Sequence, residues 1–174
     1  MALTGHAFIA TDQSANDFDD LHLDGFGAAL SPTAITRAAG NGEIGVNDVT
    51  LVARGTGQGI KTPITDAWDN HPRVAHARRL RSNVEVYGDG EGFVTLGNGL
   101  AGRIEMSIEI SDTALSSGTG RRLILDAVAG VADGEYVFAA VSPGNARSLR
   151  SFLAAGFIPI GSEVLIDLRS SKPS

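Results

Sequence analysis

The sequence predicts a mixed α/β fold, a twisted central sheet flanked by helices. Three observations carry that prediction. An isoleucine-rich run, Ile104–Ile110, leads through a glycine-rich turn into residues 121–131, whose apolar positions recur at helical spacing. A nearly continuous apolar run, Tyr136–Val141, leads into a second helical run that ends at Ala155-Gly156-Phe157. Ahead of both, Val84-Glu85-Val86-Tyr87 alternates as a half-buried strand does. Strands and helices in this order build a mixed sheet with helices on it.

Taken in order, residues 1–30 carry little pattern: a short apolar run over 7–10, then an Asp-rich polar stretch. Ser31-Pro32 reads as an N-cap with proline at the first helical position, so 32–39 is a helix that Gly40 stops. Residues 46–54 read as a strand and 55–59, spaced by glycines, as a loop. Residues 65–68 and 72–81 read as helix. Gly88-Asp89-Gly90 is a turn after the 84–87 strand. Strands over 93–96 and 103–110 flank Gly97-Asn98-Gly99, a hairpin signal. In the next helix Leu123, Ile124, Ala127, Val128 and Val131 form one apolar stripe, closed by Asp133-Gly134. Tyr136–Val141 is expected to be covered on both faces. Leu149, Phe152 and Leu153 form the stripe of the last helix, with Gly156 as its C-terminal stop. Residues 163–168 read as a closing strand.

With 174 residues, one domain over 1–174 is expected. The chain has no cysteine, which excludes disulfides, thiolate metal sites and a cysteine nucleophile. A formal charge of -6 disfavours non-specific nucleic-acid binding. No stretch approaches the ~20 apolar residues of a membrane span, and Met1-Ala2-Leu3-Thr4-Gly5-His6 lacks a basic region before a long apolar run. The expectation is a soluble, cytoplasmic protein with no membrane or nucleic-acid partner.

Two motifs carry the chemistry. Leu115-Ser116-Ser117-Gly118-Thr119-Gly120-Arg121-Arg122 sits at a strand–turn–helix junction, where backbone N–H groups and a helix N-terminus converge on one spot suited to a pyrophosphate. Val141-Ser142-Pro143-Gly144-Asn145 follows the next strand and opens the helix that leads to Gly156-Phe157. In that order, the two resemble the acyl-CoA-binding motifs of the GNAT N-acetyltransferase superfamily. The resemblance covers residues 84–170 and implies a GNAT-like acyl-CoA N-acyltransferase fold. Residues 1–80 would then be an atypical acceptor-side region. It implies acetyl-CoA as co-substrate and a small-molecule or peptide amine as acceptor, and is compatible with a homodimer. It places the pyrophosphate on Ser116, Ser117, Gly118, Thr119, Gly120, Arg121 and Arg122, the cofactor arm on Asn145 and Ser148, and the acyl group on the backbone from Ile108 to Ile110. Gly161-Ser162-Glu163, after Phe157, resembles the family's final hairpin.

Two positions depart from the family pattern. The Gln or Arg that leads the first motif is Leu115 here, and the Tyr that protonates the leaving thiolate is Phe152, which has no proton to give. An amine of pKa ~10.4 must also lose a proton before it attacks, so a general base is needed. The resemblance points to a carboxylate on the strand before the glycine turn. Glu105 and Glu109 qualify; both lie on one face of that strand, with Arg103. Glu105 is nearer the usual location, and a salt-bridged strand face explains these residues equally well. Two other readings stay open: a catalytically degenerate GNAT-fold module acting as a sensor or regulatory subunit, and a nucleotide-binding protein.

The last rests on Gly55-Thr56-Gly57-Gln58-Gly59-Ile60-Lys61-Thr62, which nearly forms a phosphate loop but has Ile60 at the second required glycine. Asp20-Leu21-His22-Leu23-Asp24-Gly25 resembles the start of a calcium loop, but Ser31 stands where the closing Glu belongs. His71 and His76 do not share a helical face, and no metal site is expected. The basic stretch from His71 to Arg79 is a candidate for the acceptor side with a preference for acid-bearing substrates, or else a solvated helix face.

Overall fold

The computed structural model describes residues 1–114 and 118–168. In chain order its elements are β1 (Ala2–Leu3), β2 (His6–Ala7), α1 (Pro32–Ala39), β3 (Glu43–Arg54), α2 (Pro72–Leu80), β4 (Ser82–Asp89), β5 (Gly92–Asn98), β6 (Ile104–Ile110), α3 (Thr119–Gly130), β7 (Tyr136–Val141), α4 (Ala146–Ala154) and β8 (Ile158–Asp167). Short 3-10 turns fill several of the connections. Among the described residues no helix is long and apolar enough to cross a membrane.

The chain forms two compact units. Among the described residues the first holds Met1–Thr50, Ser142–Gly144 and 159–168, with strand order β2-β1-β8-β3. Ser31 caps α1 by accepting the N–H of Ala34, and Pro32 follows it. The residues read as a final hairpin, Gly161-Ser162-Glu163, lie inside the continuous strand β8, with Gly161 and Ser162 registered against Leu3 and Ala2. The partner is the chain's own N-terminal strand, a long-range pairing that local turn chemistry does not encode.

The second unit, Leu51–Val141 and Asn145–Ile158, has strand order β3-β7-β6-β5-β4. It is mixed α/β. β4, β5 and β6 pair antiparallel, whereas β6 and β7, joined by α3, pair in parallel. Register and alternation separate the faces. Glu105, Ser107 and Glu109 of β6 stand opposite Gly97, Thr95 and Phe93 of β5 and face α2, whose Val74 packs with Val86 and Phe93. The other face carries Met106 and Ile108 toward α3, whose stripe of Leu123, Ile124, Ala127 and Val128 is buried. Residues 65–68 form a turn rather than a helix. Tyr136–Val141 is covered on one face only: Tyr136 and Ala140 are exposed. Arginines replace the expected helix there, with Arg54 over the Tyr136 ring and Arg103 over the Phe138 ring. In α4 Phe152 is buried, but Leu153 is exposed.

Candidate functional site

The parallel ladder between β6 and β7 is short. It registers Ile104 with Val137, Glu105 with Phe138 and Met106 with Ala139, and among the described residues it ends there. β6 continues through Ile110, still paired on its other side, with Ile108 opposite Val94 and Ile110 opposite Gly92. Main-chain groups alternate sides along a strand, so those of residues 107–110 that point away from β5 have no β7 partner. An extended ligand can hydrogen-bond there as a strand would.

α3 begins beside that segment. Its N-cap is Gly118, at φ 85, and it makes no side-chain cap bond. That backbone conformation strains any residue with a Cβ. Ser31 on α1, His71 on α2 and Asn145 on α4 all cap their helices through side chains. The first N–H groups of α3 have no intrahelical acceptor, and Gly118 has no side chain with which to cap them. Gly120 lies within the helix, not at positive φ; a Cβ there would meet Ser151 Oγ at 3.4 Å and Ile110 Cγ1 at 3.6 Å, which is ordinary contact. A Cβ therefore has room there, and the conformational demand falls on Gly118. Ser116 and Ser117, with Leu115, lie outside the described residues.

Three side chains assigned to the anion are already engaged within the protein. Thr119 Oγ1 donates to Glu91 at 2.8 Å, Arg122 pairs with Asp89 at 2.7 Å and Glu91 at 3.3 Å, and Arg121 Nε donates to the Ala154 carbonyl at 2.9 Å. Arg121 and Arg122 nevertheless line a groove of about 550 Å³, with Gly118, Gln58, Gly59 and Lys61. The sequence reading placed Lys61 only in the near phosphate loop, because nothing in its spacing ties it to α3. What brings it there is Asp126 of α3, whose carboxylate accepts the N–H groups of Lys61 and Thr62. The same contacts dispose of the phosphate-loop reading. The N–H groups of Gly55, Gly57 and Gly59 donate to the carbonyls of Glu135, Val131 and Ala129, so with Lys61 and Thr62 five donors of this loop are spent within the chain.

Asn145 caps α4: its Oδ1 accepts the Ser148 N–H at 3.1 Å. This fixes the start of α4 next to the end of β7 and occupies the side-chain oxygen. Phe152 is 2 % exposed and packs edge-on against Phe157 at 4.9 Å. It is a core residue.

The two carboxylates of β6 have different surroundings. Glu105 is 8 % exposed. Its oxygens accept from Arg81 Nε at 2.8 Å, Arg103 Nε at 2.7 Å and the Leu100 N–H at 3.3 Å. Burial pushes its carboxyl up, but the hydrogen bonds and charges of Arg103 and Arg81 outweigh that and leave it below its usual range. A carboxylate held so is a poor proton acceptor. Glu109 lies in the segment that β7 has left, with its side chain 35 % exposed, and pairs with Arg73 Nε at 2.5 Å. Arg78 of α2 turns instead to Asp69 at 2.7 Å.

The remaining motifs find structural work. Asp20 pairs with Arg37, and Asp24 accepts the N–H groups of Phe26, Gly27 and Ala28. His71 Nδ1 accepts the Arg73 N–H, and burial with the charges of Arg79, Arg81 and Arg73 pushes the His76 imidazole down. Among the described residues no cluster of His, Asp or Glu is placed to hold a metal ion.

No protein-family model matches this chain, and no curated protein does. One solved structure of similar fold is an acetyltransferase from the GNAT family from Colwellia psychrerythraea, 10% identical, covering 78% of this chain and 61% of that one, with a TM-score of 0.47. The chain thus spans about six tenths of that protein's length.

Proposed function

We propose that this chain is a GNAT-type N-acetyltransferase that moves the acetyl group of acetyl-CoA onto an amine. The observation that carries the reading is the parting of β6 from β7 beside the Gly118-led start of α3. Acetyl-CoA fits the residues present. Its phosphates would meet the first N–H groups of α3, with Lys61, Arg121 and Arg122 supplying charge along the groove. Its amide-bearing arm would meet the free main-chain groups of residues 107–110. Bound there, it supplies an activated thioester carbonyl.

Glu109 is the proposed base. It takes the proton that the ammonium must lose, so the nitrogen lone pair can form the N–C bond as the C–S bond breaks. Phe152 has no proton for the departing sulfur; the second proton that the nitrogen sheds as the amide forms reaches the sulfur through water. Glu105 anchors α2 and the 100–103 turn to β6 instead. The acceptor side is assigned to α2.

Adding acetyl-CoA at ~100 times its dissociation constant should stabilise the protein by ~2.7 kcal/mol, read as a rise in thermal midpoint. No rise at millimolar acetyl-CoA would sink the reading. A second reading, a catalytically silent acyl-CoA-binding module, is favoured by the buried Phe152. It predicts the same stabilisation with no thiol release in the presence of any amine.

A further inference from the structure

Arg73 gives the acceptor a chemical class. Its Nε bonds Glu109, and among the described residues neither terminal nitrogen of its guanidinium has a partner. Its side chain is 41 % exposed. The other α2 arginine near this strand, Arg81, is buried against Glu105. So one guanidinium presents a free fork toward solvent, next to the one β6 carboxylate that can act as a base. The pair is held from behind. His71 fixes the first turn of α2 through the Arg73 N–H and packs its ring on Phe93 at 5.1 Å, and Phe93 stands directly opposite Glu109.

We propose, resting on the acetyltransferase reading, that the acceptor is a zwitterion: an amino acid or a short amino-carboxylate. Its carboxylate docks on the Arg73 fork and its ammonium on Glu109. An Arg–carboxylate fork is bidentate and directional. A zwitterion replaces the internal ion pair charge for charge. Each group that leaves its internal partner gains an equal one, and Glu109 is brought onto the nitrogen whose proton it takes. A plain amine does only half of this. It draws Glu109 away and leaves Arg73 with no counter-ion.

The test uses the whole chain with acetyl-CoA, following thiol release with a thiol reagent; the protein contributes no background because it has no cysteine. The twenty amino acids are compared with their amides and with the corresponding decarboxylated amines. The expected result is an amino acid preferred over its amide by at least about tenfold in kcat/KM. Arg73→Gln should erase that preference through KM, with Arg73→Lys in between and the thermal midpoint unchanged. Equal use of acids, amides and amines would overturn the zwitterion proposal and leave acetyl transfer standing. So would an Arg73→Gln loss that is the same for all three. The absence of thiol release with every acceptor tried, or of acetyl-CoA binding, would overturn both.

Discussion

Glu105 and Glu109 are the same residue type, four apart on one strand and one face, each paired with an arginine of α2 or its C-cap. At the Glu105 end β6 is enclosed by β5 and β7, so the carboxylate is buried and held by two guanidinia and a main-chain N–H. Four residues on, β7 has gone, and Glu109 keeps one arginine and a third of its side-chain surface. The lesson is that the end of a β-ladder decides which carboxylate is structure and which is available for chemistry. A buried pair resists removal of one member because a charge is stranded. An exposed pair exchanges partners at little cost.

The sharpest way to break this comparison is kinetic. Glu109→Gln should lower turnover by ~10²–10⁴ while acetyl-CoA affinity stays near that of the parent. The loss should shrink as pH rises, because more acceptor then arrives already neutral. If kcat and its pH profile are unchanged by the substitution, Glu109 is not the base.

The second effect is on stability. Glu105→Gln should cost ~3–5 kcal/mol in chemical unfolding, because the largely buried Arg81 and Arg103 guanidinia lose the charge of Glu105. Glu109→Gln should cost under ~1 kcal/mol. The pH dependence carries a sign. The folded Glu105 carboxyl lies below its usual value of 4.5, so its contribution is complete above that pH and is lost as pH falls through the lower, folded value. The parent should therefore lose stability on acidification below about pH 4.5 more steeply than Glu105→Gln does. Parallel acid limbs for the two proteins would mean that Glu105 is not held by its arginines.

How much of this the sequence disclosed depends on how local each cause is. The strands Ile104–Ile110 and Tyr136–Val141, the helix Pro32–Ala39 and the Asn145 junction were legible, because apolar period and capping residues act within a few positions. The different surroundings of Glu105 and Glu109 were not, and Glu105 was simply nearer the usual base location. Spacing gives both the same face, and only the end of the β7 ladder separates them. The place of Lys61 beside α3 was invisible for a similar reason: it is brought there by Asp126, 65 residues away. Residues 1–30 were unreadable because their strands are two residues long and take their register from β8.

The smallest effect tests whether the two ends of β6 are truly separate. Ser107 lies between the carboxylates on the same face, and its hydroxyl bonds Thr95 Oγ1 at 2.6 Å. Thr95 is fully buried and also lies 3.4 Å from Arg81 Nη1, so it belongs to the Glu105 end. Ser107→Ala removes one hydroxyl and leaves Thr95 its contact with Arg81. The cost should be ~1 kcal/mol of stability, the ordinary value of one side-chain hydrogen bond. Turnover should hardly change, because Glu109 is held by Arg73 and not through Ser107. If Ser107→Ala instead lowers kcat toward the level of Glu109→Gln, the polar face under α2 acts as one network. The division at the ladder's end would then be wrong, and Glu105 would return as a residue that positions the base.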